Sequence, residues 1–416
     1  MFFNNNQNAY PIEKRKSENF LVYSVVFWGM MSFFYHFVLL TGGGLGPILN
    51  SIHFPVLGVL FLLALFALKG NVVLNRSGVN KTIATVWAIC SIMYILLDAM
   101  WYTFFGVLSD VLTMTLILMF LLLREDLKLR IFDAFINVMA VLMLFSMVEY
   151  LLYLFSGFRY VVFDNLIYLD ERPMVQTFFN LMYPESPYGF GGLFRFFRFQ
   201  SLADEPGGVG TIMGFLLFAT VGNPKYKRQY IVFWMAGLLS FSLAFYVMAF
   251  VHLIVSMRTR NNWAFLLLFV VIAVLAYSLF GDVFNYLVID RVSGNDVSEI
   301  DNRTSEQLNR DLLSAFQDGS ILFGHEHVVE SGLRGALYNK GLIAVLSLVL
   351  CYSYAFLSKM RSLKIRDSRF ALMFLLVFWM SYYQRTYILM FQYVIPFFCM
   401  PVMLKYKESI VYRRKK

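Results

Sequence analysis

Residues 227–260 read KRQYIVFWMAGLLSFSLAFYVMAFVHLIVSMRTR, and the topology of the chain turns on this stretch. From Ile231 to Met257 it is apolar enough for one membrane span, since 18 or more apolar residues cover a hydrocarbon core of about 30 Å. Yet both flanks are basic, with Lys225, Lys227 and Arg228 before it and Arg258 and Arg260 after it. Lys and Arg beside a span mark its cytoplasmic end, so a single crossing would strand one cluster on the wrong side. The stretch is therefore expected to form two short helices that turn near Ser240-Phe241-Ser242. Each would have about 13 residues and a length of roughly 20 Å, short of a full crossing. Such helices are tolerated inside a bundle, beside a thinned or water-filled cavity.

The same rule extends in both directions. The other basic clusters are Lys14–Lys16, then Lys69, Arg76 and Lys81, then Arg124, Lys128 and Arg130, then Lys359 to Arg369, and the tail Arg413–Lys416. If all are cytoplasmic, each neighbouring pair encloses an even number of spans. Apolar runs near 20–41 and 52–68 form one hairpin, and runs near 83–104 and 107–123 a second. A span near 132–155 leads out and one near 208–222 returns. Residues 369–404 split into two spans that turn near Gln384-Arg385-Thr386. The expected fold is a single all-α polytopic membrane domain over residues 1–416, with about twelve transmembrane helices and both termini cytoplasmic. The alternative is about ten spans with an inverted centre.

Composition agrees. Charged residues make up 15% of the chain and hydrophobic ones 59%, against about 25% charged in a soluble domain. The net charge of +9 sits in connections between spans and in the tail, so it follows the membrane and not a nucleic acid. Lys14–Lys16 precede about twenty apolar residues, too long a run for a signal-peptide core, and the first span reads as an uncleaved anchor. Cys90, Cys351 and Cys399 lie in apolar runs, so no disulfide framework is expected.

Two long loops then face outward, residues 156–206 and 282–333, and neither contains a lysine. Their permanent cations are all arginine, including Arg159, Arg172, Arg195, Arg198, Arg291, Arg303 and Arg310, with Arg334 at the membrane edge. Loops longer than about 15 residues commonly carry function. The densest cluster runs from Arg195 to Gly208 and reads RFFRFQSLADEPGG. On a helical turn Arg195 and Arg198 would share a face, and the guanidinium fork matches phosphate oxygens. Pro206 suits a first helical turn, and Gly207 and Gly208 would offer backbone N–H groups at a helix start, where anions bind. A diphosphate site is one reading. The other is arginines snorkelling to headgroups with Glu205 capping the helix.

The second cluster, Phe323-Gly324-His325-Glu326-His327, is followed by Arg334 and Tyr338. His325 or His327 can serve as a base or a phosphate ligand near neutral pH; a hydrated surface loop is the plainer reading. The spacing is not that of a zinc protease, and no metal site is expected. Asp98, Glu149 and His252 fall inside spans, where an ionisable group is a functional candidate unless it faces water. Aromatic residues crowd the first loop, either to hold sugars or a polyprenyl chain or as an interfacial belt.

Arg198-Phe-Gln-Ser201-Leu-Ala-Asp-Glu205-Pro206 running into a span, with Gly324-His325 leading to Gly341 in a later span, resembles the O-antigen polymerase family. The O-antigen ligases are its cousins. The His-Asn pair typical of ligases is His325-Glu326 here, and the central Ser-Arg turn is Ser240-Phe241-Ser242. The resemblance implies a GT-C-like helical fold in a bacterial inner membrane. It implies a metal- and cofactor-independent glycosyltransferase acting on undecaprenyl-diphosphate-linked glycans, and a possible chain-length-regulating partner. Glu205 or His325 would be the base. Arg195, Arg198, Gly207, Gly208, Arg291 and Arg334 would hold diphosphate, and Tyr338 and His327 would touch substrate. The other classes to weigh are a lipid-linked oligosaccharide flippase and a ligase. A flippase calls for charges along both halves of the bundle and short loops on both sides.

Overall fold

The computed structural model describes residues 12–33, 78–99, 104–156, 167–169, 172–176, 179–182, 189–190, 194–195, 198–203, 205–256, 267, 271, 274, 306–325, 332–384 and 389–413. The expected span near 52–68, Arg291 and His327 lie outside them, as do the side chains of Asp98 and Arg195. The helices are α1 (Ile12–Phe33), α2 (Gly78–Ala99), α3 (Phe104–Leu122), α4 (Glu125–Ser156), α5 (Pro206–Thr220), α6 (Lys227–Leu239), α7 (Leu243–Ser256), α8 (Glu306–Asp318), α9 (Leu333–Met360), α10 (Ile365–Gln384) and α11 (Phe391–Arg413).

Among the described residues, three helices are long and apolar enough to cross a membrane, at Asn80–Leu97, Glu125–Phe155 and Leu333–Met360. Shorter apolar helices lie at Val107–Leu122, Pro206–Thr220 and Leu243–Ser256. Residues 231–257 do not form one span: α6 ends at Leu239 and α7 begins at Leu243. The turn between them carries Phe241 at φ +46°. Helix α10 ends at Gln384 and α11 begins at Phe391, and Arg385 and Thr386 of the second expected turn lie outside the described residues. Boundaries differ elsewhere. Helix α1 starts at Ile12 and takes in the first basic cluster, and α4 starts at Glu125, ahead of the expected 132.

Two helices form the centre, because they are apolar on every side and have no face to give to water. Gly207 to Thr220 of α5 and Phe391 to Leu404 of α11 are buried throughout. Phe215 of α5 packs on Phe374 and Phe378 of α10 and Tyr393 of α11. Trp28 of α1 stacks on Phe391 at 3.5 Å. By contrast, Val138, Val141, Leu144, Phe145, Val148 and Leu152 leave an apolar stripe exposed along α4. A face of that kind is compatible with a membrane-embedded chain and is unusual in water.

Polar contacts sort the helix ends into two sets. At one end, Glu18 of α1 pairs with Arg124 and Arg130 at the start of α4. Lys405 of α11 meets Glu125, Lys359 of α9 donates to Asn80 of α2, and Lys225 pairs with Asp133. Lys128 is 1% exposed. Its Nζ donates at 2.6 Å to the carbonyl of Leu121, one of the last carbonyls of α3, which have no helical partner. At the other end, Lys340 of α9 lies 3.6 Å from Asp110 of α3 and over the Tyr94 ring of α2. Since α2 and α9 meet start-to-end at both positions, they run antiparallel. The basic residues of these contacts, Arg124, Arg130, Lys225, Lys359 and Lys405, lie at the first end. At the second, Phe179 and Asn180 of the first long loop meet Glu149 near the end of α4, and His325 of the second loop meets Tyr338 near the start of α9.

The first long loop is not purely irregular. Short strands β1 (Ile167–Leu169), β2 (Arg172–Gln176) and β3 (Leu181–Met182) pair antiparallel, and β4 (Gly189–Phe190) pairs with β5 (Phe194–Arg195). These short pairs are confined to the first long loop among the described residues, and the chain is all-α in class, as expected. Ile167, Tyr168, Val175, Phe190 and Phe194 in these strands are residue types that suit a pleated surface.

Candidate functional site

Arg195 and Arg198 do not share a helical turn. Arg195 ends β5, and 198–200 is irregular, so spacing by three does not align them. Arg198 is half-buried and is fixed by its backbone neighbour: Phe199 N–H donates to Leu239 O at 3.0 Å. Phe199 is wholly buried, with its ring edge-on to Tyr150 of α4. Arg198 Nε then donates to the Ser240 carbonyl at 3.2 Å. The loop that carries the arginine therefore grips the α6–α7 turn, and that turn reaches the loop end of the bundle.

The contact depends on glycine. An added Cβ at Gly210 of α5 would stand 2.3 Å from Ser242 Cβ, and one at Gly214 would stand 2.6 Å from Met248 Cε. Gly210 and Gly214 form a small-xxx-small face that lets α7 close on α5. That spacing was readable in the sequence and marks a packing site that the charge pattern does not reveal.

The start of α5 matches neither expected reading in full. Pro206 is in the first turn and Glu205 is the extended N-cap residue, but the Glu205 side chain makes no capping bond. The N–H of Gly208 is taken by Glu205 O at 3.0 Å, so it is not bare for an anion. Gly207 and Gly208 are buried.

Glu149 also differs from expectation. It does not merely face water, because its Oε2 accepts from Phe179 N at 2.9 Å and from Asn180 Nδ2 at 2.8 Å. Ser146 joins them, with Oγ 2.7 Å from Asn180 Oδ1 and its carbonyl accepting from Asn180 Nδ2. Ser201, at φ +52°, approaches Phe179 O at 3.4 Å. Together these tie the first loop to α4. His252 is fully buried among Phe218, Trp234 and Phe370, with Nε2 2.9 Å from Tyr230 Oη. Its Nδ1 has no hydrogen-bond partner among the described residues.

The second cluster is built on a break in α9. Gly341 has φ +81° and ψ +161°, which is non-helical, and such a residue interrupts the i→i−4 ladder of the preceding turn. The backbone of 322–324 lies in the break. A Cβ on Gly341 would be 2.6 Å from Gly324 N, Leu322 O and Phe323 C, and Gly324 itself has φ +83°. The contact delivers His325 to the break. Its ring stacks on Tyr338 at 4.4 Å and 6°, and its Nδ1 lies 3.3 Å from Tyr338 O. Nε2 is 2.8 Å from Ser320 Oγ, which is 2.6 Å from Asp318 Oδ1. The Ser320 hydroxyl and N–H hold the Asp318 carboxyl below its ordinary range, so it is a carboxylate at neutral pH. One face of Tyr338 is covered by His325, so that face is closed to a sugar. Arg334 donates to Asn309 Oδ1 of α8 at 3.0 Å and to Tyr383 Oη of α10 at 3.4 Å.

The structure thus unites His325 with Tyr338, and Arg198 with the Ser240 turn. The first neighbourhood sits on the α6–α7 turn and the second at the start of α9, at the same end of the bundle; α5, which packs on α6 and α7, and α9 both pack against α10 and α11. No group of His, Cys, Asp or Glu suited to a metal occurs among the described residues. No family model, curated protein or solved structure matches this chain.

Proposed function

We propose that the chain is a membrane-embedded polysaccharide polymerase that joins lipid-diphosphate-linked oligosaccharide units at the outward face of a bacterial inner membrane, with about twelve spans. One observation carries the reading. The Gly324–Gly341 contact builds His325, from the second long loop, into the break of a membrane-length helix, at the end of the bundle where Arg198 is also held. An acid–base group and fixed arginines at one membrane face suit glycosyl transfer from a lipid diphosphate. In that reaction an acceptor hydroxyl attacks C1 of the donor sugar, the C1–O bond to diphosphate breaks, and the anomeric centre inverts. Arg198 and Arg334 offset charge on the departing diphosphate, and His325 takes the hydroxyl proton.

The test is purified protein incubated with lipid-linked repeat units, read as a product ladder. Arg198→Lys keeps the charge but loses the fork, and is expected to slow polymerisation on the order of a hundredfold to a thousandfold. Because Arg198 also holds the Ser240 carbonyl, its melting temperature is measured alongside. A ladder of wild-type length from a stable Arg198→Lys protein refutes the diphosphate role. Glu205→Gln separates the two candidate bases, since a slow Glu205→Gln enzyme moves the base from His325 to Glu205. Activity is expected to survive excess EDTA; loss that a divalent ion reverses would replace the arginine mechanism.

A further inference from the structure

Ser320 has one hydroxyl proton and two acceptors within reach, Asp318 Oδ1 at 2.6 Å and His325 Nε2 at 2.8 Å. The other ring nitrogen faces Tyr338 O, at 3.3 Å. A carbonyl only accepts, so a hydrogen bond there requires the proton on Nδ1. In the neutral ring Nε2 is then a lone pair, and it faces the Ser320 hydroxyl. Ring stacking on Tyr338 at 4.4 Å and 6° fixes the plane in which this happens.

We infer that Ser320 and Asp318 are positioning residues for His325, which make Nε2 its proton-accepting nitrogen and route the incoming proton through the Ser320 hydroxyl. The exchange balances. The Ser320 proton passes to Nε2 while Ser320 Oγ takes one proton from the acceptor hydroxyl. The ring becomes an imidazolium that donates from both nitrogens, Nδ1–H to Tyr338 O and Nε2–H to Ser320 Oγ. The hydroxyl, whole again, turns to Asp318, whose Oδ1 already holds Ser320 N at 2.8 Å. This is the logic by which a nucleophile–base pair is oriented by a third group, with the carboxylate on the far side of the serine. The base role rests on the proposed polymerase reading, whereas the geometry of the ring does not.

The experiment therefore has two arms. The full-length protein in nanodiscs is labelled with ¹⁵N-histidine, and His325 is assigned among the five histidines by its loss in His325→Gln. The neutral ring is expected as the Nδ1–H tautomer, with an Nε2 resonance that moves in Ser320→Ala and returns in Ser320→Thr. An Nε2–H tautomer in the wild type, or an unmoved resonance in Ser320→Ala, overturns the positioning claim. In the second arm Ser320→Ala slows chain growth on the order of tenfold to hundredfold, and Ser320→Thr restores it. A correct tautomer with full-speed Ser320→Ala overturns the proton route. No polymer from wild type refutes the function and leaves the first arm to decide the geometry.

Discussion

Replacing Gly341 by alanine tests the break in α9 directly. Two costs combine. At φ +81° and ψ +161° the backbone occupies a region open essentially to glycine alone, at roughly 1–3 kcal/mol for another residue. The new Cβ would also stand 2.6 Å from three backbone atoms of 322–324. No flexible side chain can yield there, and overpacking of that kind costs about 1–3 kcal/mol more. Apparent melting of the detergent-solubilised protein, at a fixed scan rate because unfolding is expected to be irreversible, should fall by roughly 3–10 °C in a chain this long. Gly319 supplies the internal control. Its φ is +78°, but nothing lies within 4 Å of its missing Cβ, so Gly319→Ala pays only backbone strain of roughly 1–2 kcal/mol. Gly324→Ala meets Asn339 O at 2.5 Å and should behave like Gly341→Ala. The double variant should cost less than the two single effects combined, because both disturb one contact. Equal losses in Gly319→Ala and Gly341→Ala would refute the argument that backbone meets backbone at the break.

Glu149→Ala should release the first loop from α4 and leave donors of Phe179 and Asn180 without it, at about 1–3 kcal/mol. Hydrogen exchange at Phe179–Met182 checks this, and unchanged protection counts against the anchor. Gly210→Leu should push α7 off α5 and lower stability by at least about 1–3 kcal/mol; a melting temperature equal to wild type shows that the close approach is not needed. Sidedness is read by an impermeant thiol reagent on a background lacking Cys90, Cys351 and Cys399: Phe323→Cys should label from outside and Lys227→Cys should not. Labelling of Lys227→Cys in intact cells overturns the placement of the basic end.

The α6–α7 turn was legible because basic residues flank both ends of the run, which a pair of short helices satisfies and a single crossing does not. Gly324 and Gly341 were also visible as separate glycines, but nothing in the one-dimensional pattern says that a loop glycine and a helix glycine touch. Arg195 and Arg198 do not align because a helical spacing does not apply where Phe194 and Arg195 pair as a strand with Gly189 and Phe190 and residues 198–200 are irregular. Glu149 looked like a solvent-facing acid because its partners, Phe179 and Asn180, are thirty residues away. Local pattern carries helices and turns; loop-to-helix contacts depend on closure of a long chain, which pattern does not encode. Gly210 and Gly214 were the exception, a readable signal of close packing that passed unused.

The break at Gly341 divides the 28 residues of α9 into unequal parts. The part after it, from Leu342 to Met360, is about 19 residues or roughly 28 Å long, close to the thickness of a bilayer's hydrocarbon interior. The part before it carries Arg334, Asn339 and Lys340, and would lie among headgroups. The glycine then acts as a gauge of membrane depth, and the backbone contact with Gly324 couples that depth to the position of His325. Lipids with longer or shorter acyl chains would load the joint by fractions of a kcal/mol per Å of mismatch. On the proposed polymerase reading, the rate of chain growth would then vary with acyl-chain length even where no lipid touches the reacting atoms.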